Sequence, residues 1–314
     1  MGSIMLHRKH IMARLPLWVG AMIAWLSAAC TTDDDFVAPS FLHVDGIDLV
    51  MPSQNAVTTD TGFYTADIRS VFVTLLRAGS NHPDTVGLFE LPFTTPILYD
   101  GEVEYIELSP AVWQSGMANA QIYYTYYRRI RLEGLSLTSG DTLDLGRQRT
   151  TYNITRSDVL LFEPFEPTQA SIIFDSTMLW ERHAVDEACC GEGYGYVHLP
   201  DSLNTLHFYI DHDFYVTDPG KLVYLELDYR SDLQFKIMME ASEHSGGNTT
   251  MYGVMDVYPK EQWTHLYVNI GRARAYINNP NDKFRLHFYA LGGDGATGDV
   301  RLDNVRLLTT SNVL

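Results

Sequence analysis

Trp180, Tyr194 and Tyr196 are the side chains of this sequence best suited to holding a ligand. Flat rings offer apolar faces to the C–H faces of a pyranose, with a polar tip alongside. The two tyrosines close Cys189-Cys190-Gly-Glu-Gly-Tyr-Gly-Tyr196, a glycine-rich stretch inside 179–200 that lacks a clear strand pattern. It reads as a loop at the rim of a β scaffold, where glycines free the backbone to shape itself around something. If extended instead, Tyr194 and Tyr196 share a face, and core packing explains them as well as a ligand does. Cys189 and Cys190, if bridged, would stiffen the loop. Such a bond is strained, because neighbouring Cα atoms lie closer than disulfides prefer, and two free thiols are the alternative. Trp263, Phe235 and Tyr229 are assigned to the core, and Tyr123, Tyr124, Tyr126 and Tyr127 to strand packing with a wetted outer face.

Catalytic signatures are missing. The sequence has no nucleophile elbow, P-loop, dinucleotide fingerprint or paired-His zinc helix. Carboxylates are plentiful, but no spacing singles out two as a glycosidase pair. In Asp211-His212-Asp213 a strand would turn both acids to one face and the histidine to the other, which spoils a compact three-ligand metal site. The 314 residues include 22 Lys and Arg against 39 Asp and Glu, a net charge of −17. That excess argues against nucleic acid or anionic headgroups as main partners. A non-catalytic protein is expected.

The elements that must position these residues are strands. Segments 41–50, 68–77, 86–91, 103–108 and 121–132 are rich in β-branched and large apolar residues, separated by turn signals such as Gly79-Ser-Asn-His-Pro83 and Asp100-Gly101. After the Pro-punctuated stretch 157–167 the pattern resumes in 206–212, 222–229, 234–239, 263–270, 284–290 and 300–307. No segment has a clean helical period, and no repeat links the halves. The expectation is an all-β chain, with an immunoglobulin-like β-sandwich over 41–156 and a jelly roll over 158–309.

The first thirty residues read as an address. Arg8, Lys9 and Arg14 precede an apolar run, 15–29, that ends at Cys30. This is the order of a secretory signal, and the run is short for a membrane span. Leu26-Ser-Ala-Ala-Cys30 resembles the lipobox of bacterial lipoproteins, with Ser27 where leucine is usual. The resemblance implies cleavage after residue 29, acylation of Cys30 and outer-membrane anchoring by several acyl chains. Asp33-Asp34-Asp35 within the tether, 30–40, looks like the surface-export signal of Bacteroidota-type lipoproteins.

Phe162-Glu-Pro-Phe-Glu166 and Val300-Arg-Leu-Asp-Asn-Val-Arg-Leu307 look like the first and last strands of galactose-binding-like jelly rolls, the fold of many carbohydrate-binding modules. Tyr224–Arg230 and Gln262–Ile270 sit where such domains carry inner strands. The first half is similar to the N-terminal sandwich of uncharacterised surface lipoproteins. The jelly-roll resemblance implies a structural calcium ion, with Glu163 or Glu166 and Asp303 as candidate ligands. Edge acids facing water, with Asp303 and Asn304 closing a turn, explain the same residues. No other cofactor is implied. The readings are a surface lipoprotein that binds glycan through the second half, a structural or accessory subunit of a surface protein complex, and, third, a glycoside-active enzyme.

Overall fold

The computed structural model describes residues 38–166, 174–182, 191–215, 221–242, 249–271 and 282–309. In the first half the strands are β1 (Ser40–Val44), β2 (Gly46–Leu49), β3 (Ser70–Arg77), β4 (Asp84–Glu90), β5 (Phe93–Ile97), β6 (Gly101–Trp113), β7 (Gln121–Tyr123), β8 (Ile130–Leu137), β9 (Thr142–Asp144) and β10 (Arg147–Thr150). Strands β4, β3, β6 and β7 pair in that order, with β8 also on β6. Facing them, β1 lies between β5 and β9, and β2 pairs with β10. Alternation decides which residues face inward: Val71, Val73 and Leu75 of β3 meet Leu42 and Val44 of β1 and Ile106 and Leu108 of β6 in one core. Ser40, assigned above to a flexible tether, already belongs to β1, and its buried hydroxyl donates to the Ile97 and Tyr99 carbonyls.

The second half contains β11 (Val159–Glu163), β12 (Leu179–Arg182), β13 (Gly193–Leu199), β14 (Thr205–Tyr209), β15 (Phe214–Tyr215), β16 (Val223–Ser231), β17 (Gln234–Ser242), β18 (Thr249–Val257), β19 (Lys260–Asn269), β20 (Lys283–Leu291) and β21 (Gly298–Thr309). Among the described residues they form two sheets. One is six-stranded, in the order β12-β13-β21-β16-β19 with β11 also on β21; the other is five-stranded, β14-β20-β17-β18 with β15 also on β20. Phe235, Ile237 and Met239 of β17 and Phe284, Leu286 and Phe288 of β20 point into the core between them. Lys236, Met238 and Glu240, and Arg285, His287 and Tyr289, are left for the outer face.

A third core lies across the seam between the halves. The outer face of the six-stranded sheet presents Tyr224, Tyr267 and Leu308, which are covered by Phe63, Tyr64, Tyr124, Tyr126, Tyr127 and Tyr152 of the first half. The tyrosine run is therefore not a strand with a wetted face. Strand β7 ends at Tyr123, a turn follows in which the Tyr127 amide donates to the Tyr124 carbonyl, and Tyr124, Tyr126 and Tyr127 are buried in the seam. Tyr123 is half-buried beneath Arg129.

Charge is buried there as well. Arg306, 0% exposed, donates its Nε to Glu226 at 2.7 Å and its remaining donors to the carbonyls of Gly62, Phe63 and Thr65. Glu226 also accepts from the hydroxyls of Tyr124 and Tyr152. His265 Nδ1 lies 2.7 Å from Asp228, which accepts in addition from the Thr65 hydroxyl. A guanidinium whose donors find fixed acceptors on the opposite half sets the register of the two halves. The first half thus covers one face of the second half and leaves the outer face of the five-stranded sheet uncovered by it.

Candidate functional site

On that remaining face β14 and β20 carry the same tetrapeptide, Leu206-His-Phe-Tyr209 and Leu286-His-Phe-Tyr289, and the two copies pair with each other. The antiparallel register places Phe208 opposite Phe288, His207 opposite Tyr289 and Tyr209 opposite His287. Alternation sends the two phenylalanines into the core, where their rings stack at 5.2 Å, and turns the His and Tyr pairs outward.

The four outward rings form a patch, or tile, of nearly parallel planes in stacking contact. His207 lies 4.6 Å from Tyr289 and 5.6 Å from Tyr209, with interplanar angles of 22° and 16°. Tyr209 lies 5.3 Å from His287 at 22°. His207 and His287 are 5.1 Å apart at 8°, and their Nε2 and Nδ1 atoms are 2.8 Å apart. That combination is the signature of rings lying edge to edge in one plane, joined by a ring-to-ring hydrogen bond. Such a bond requires one nitrogen to carry a proton and the other to be bare. Burial holds His287 below the ordinary histidine value, which keeps it neutral and fit for this pairing. His287 is 6% exposed, and its Nε2, 3.3 Å from Glu240, makes no hydrogen bond.

Polar side chains frame the tile. Lys236, Met238 and Glu240 of β17 stand opposite Tyr289, His287 and Arg285. Arg285 is held by Asp213, which also takes Lys283 at 2.6 Å, and Asp211 is 3.6 Å from Arg285. The two acids of Asp211-His212-Asp213 thus serve one cation, while His212 packs on the Phe214 ring. An aromatic surface whose accessible rings are the exposed His207 and the half-buried Tyr209 and Tyr289, bordered by Lys236, Glu240 and Arg285, can pack against the C–H face of a sugar ring and bind its hydroxyls at the edge.

The residues singled out from sequence lie elsewhere, on the six-stranded sheet. Gly193–Leu199 is the regular strand β13, not a loop. The glycine is explained by packing: a Cβ on Gly195 would stand 2.3 Å from the Phe165 ring and 2.8 Å from Met178 Sδ. Tyr194 is buried, its hydroxyl donating to Glu181 at 2.9 Å, and Tyr196 is half-buried, its ring 6.5 Å from that of Tyr194. Trp263, expected in the core with Phe235 and Tyr229, is half-buried on the edge strand β19, 5.6 Å from the Tyr194 ring; the other two are core residues. Trp180 sits on β12 opposite Gly195, its side chain outside the described residues. Cys30, Cys189 and Cys190 also lie outside them.

Glu163 and Asp303 are buried, and each accepts a backbone amide, from Phe165 at 2.9 Å and from Asn304 at 2.8 Å. Glu166 turns instead to the Glu192 amide at 2.7 Å, where Gly191 has a φ of 77° and leaves room for its carboxylate. Among the described residues no group of three His, Cys, Asp or Glu is placed to hold a metal ion.

No protein-family model matches this chain, and no curated protein matches it. Among solved structures it is similar to the enzymatically active domain of tailspike protein 4 of bacteriophage CBA120, at 10% identity and a TM-score of 0.32 over 43% of this chain and 18% of that one. It is similar to TmCBM61 in complex with β-1,4-galactotriose, at 16% identity and a TM-score of 0.28 over 44% and 86%. It is also similar to the family 11 carbohydrate-binding module of the cellulosomal cellulase Lic26A-Cel5E of Clostridium thermocellum, at 10% identity and a TM-score of 0.32 over 48% and 95%. At these TM-scores the likenesses carry no argument, and the functional reading rests on the ring tile.

Proposed function

We propose that this chain is a non-catalytic, saccharide-binding surface protein, held at a bacterial outer membrane through acylated Cys30, and that the outer face of the five-stranded sheet is its binding platform. The observation that carries the reading is the stacked outward cluster His207, Tyr209, His287 and Tyr289, built by two pairing copies of one tetrapeptide. Four rings turned away from the core are not needed to fill it, whereas a saccharide can use them as a contact surface. The Cys30→Ser chain, which cannot be acylated, is the reagent for a glycan array. Retention of a defined saccharide, lost in Tyr289→Ala, supports the proposal; an array without signal, or a signal that Tyr289→Ala leaves intact, removes it. Mass spectrometry of the mature N-terminus tests the anchor: an acylated Cys30 is expected, and an intact Met1 contradicts it.

A structural calcium ion is a separable part of the proposal. Glu163 and Asp303 are buried and offer only hard oxygen, which fits that ion, while Glu166 is committed to the Glu192 amide. Chelation is expected to lower the melting temperature and added calcium to restore it; indifference to both removes the ion.

A further inference from the structure

A concavity lies between the two halves, with β18 along one wall. It is a cleft of about 770 Å³, walled by Asp67, Arg69, Trp113 and Gln114 of the first half and by Tyr258 and Lys260 of the second. Its walls are tied together. The Ser115 amide donates to the Tyr267 carbonyl at 2.7 Å, the Asp67 amide donates to the Tyr267 hydroxyl at 3.0 Å, and the Arg306 network lies close behind, with His265 on both. A cleft fixed in this way loses little freedom when it is filled.

The charges in the cleft are unevenly satisfied. The Asp67 carboxylate is taken by Arg69 Nε at 2.6 Å, and the same guanidinium lies 4.5 Å over the Trp113 ring. Asp256, on the β18 wall, faces Lys236 at 3.6 Å. Lys260 has no ion-pair partner among the described residues. Asp67, Asp256, Arg69 and Lys260 balance in charge along the cleft, but because Asp256 turns to Lys236 outside it, Lys260 is left as its spare cation. Beside it Tyr258, 67% exposed, presents an open ring, and its carbonyl accepts from the Tyr229 hydroxyl, which fixes the turn that carries it. Rings on opposite walls, amide and hydroxyl side chains between them and one spare cation are the complement of a sugar that carries a carboxylate.

We infer that the cleft between the halves is a second binding site, for a uronic-acid saccharide, with Lys260 pairing the carboxylate and Tyr258 stacking the ring. This site shares no residue of the tile and stands whether or not the tile binds sugar. The test is calorimetry of the Cys30→Ser chain with trigalacturonate and, alongside, its methyl ester, which keeps the shape and removes the charge. Binding of the acid, weakened by salt and about tenfold weaker for the ester, is expected. Lys260→Met is expected to lower affinity for the acid about tenfold while leaving affinity for the ester and the melting temperature as they were, because its side chain is exposed and unpaired. Tyr258→Ala is expected to weaken both ligands. Absence of trigalacturonate binding overturns the inference, as does equal binding of acid and ester or binding that Lys260→Met leaves unchanged. Loss of array binding in Tyr289→Ala with trigalacturonate binding intact would show two separate sites; array and trigalacturonate binding both intact in Tyr289→Ala would remove the tile and keep the cleft, and loss of trigalacturonate binding in that variant would overturn the cleft.

Discussion

At the scale of single residues, Arg306 is fully buried with all three guanidinium nitrogens hydrogen-bonded. Glu226, its partner, is pulled up by burial and more than pulled back by the guanidinium, with His265 and the Tyr124 hydroxyl helping, so that its pKa comes to about 2. Removing the cation leaves a buried carboxylate uncompensated. Arg306→Met is therefore expected to cost about 3–5 kcal/mol in urea unfolding, and a loss below about 1 kcal/mol would mean that water or another cation takes its place. On the tile the expectation is smaller and concerns ligand rather than fold. Tyr289 is half-buried at the surface, so Tyr289→Ala should weaken saccharide binding about tenfold with little change in melting temperature.

At the scale of elements, glycine is where sequence and structure part. The run Gly191-Glu-Gly-Tyr-Gly195 has the composition of a mobile loop, yet residues 193–199 form a regular strand. Composition shows that a backbone could flex; it does not show that Phe165 and Met178 press so close to Gly195 that no Cβ fits. Gly195→Ala should then destabilise the second half by about 1–3 kcal/mol in urea unfolding, and a neutral result would mean the Phe165 ring moves aside freely. Alternation was legible: most strands of both halves follow from it, as does the inward set of β17 and β20. What alternation cannot say is which layer covers the outward set. Tyr124, Tyr126 and Tyr127 look like an exposed strand face and are covered by the other half, while Trp263 looks like core and sits on an edge. The tile was within reach of sequence in one respect, since Leu-His-Phe-Tyr occurs at both 206 and 286. The repeat gains meaning only from the register that pairs the two copies.

At the scale of the whole molecule, the halves keep separate strand ladders but share a core and a charge network, so they should unfold together. The network also makes the seam sensitive to pH. Burial alone would raise Asp228 and lower His265, but each outweighs that for the other: Asp228 is held below the usual carboxylate range, and His265 is held above the ordinary histidine value. Glu226 and Asp228 contribute stability that is fully present above their ordinary values of about 4 and is lost as pH falls through the lowered ones. His265 contributes stability that is fully present below about 6.5 and is lost as pH rises through its raised value. The difference in unfolding free energy between the wild-type chain and His265→Gln should be largest between about pH 4.5 and 6.5 and shrink above that range. A difference that grows towards alkaline pH would show that His265 is neutral in the seam.

The central claim is that saccharide meets the protein on the stacked outward rings of the five-stranded sheet. It is tested most directly by recording the imidazole resonances of the ¹⁵N-histidine-labelled Cys30→Ser chain while titrating in the neutral saccharide that the array retains. The account predicts that the signals of His207 and His287, assigned by His207→Gln and His287→Gln, shift together and saturate with the binding isotherm, while that of His198 on β13 stays where it is. Saturable binding that leaves His207 and His287 unmoved would place the sugar elsewhere and contradict the account.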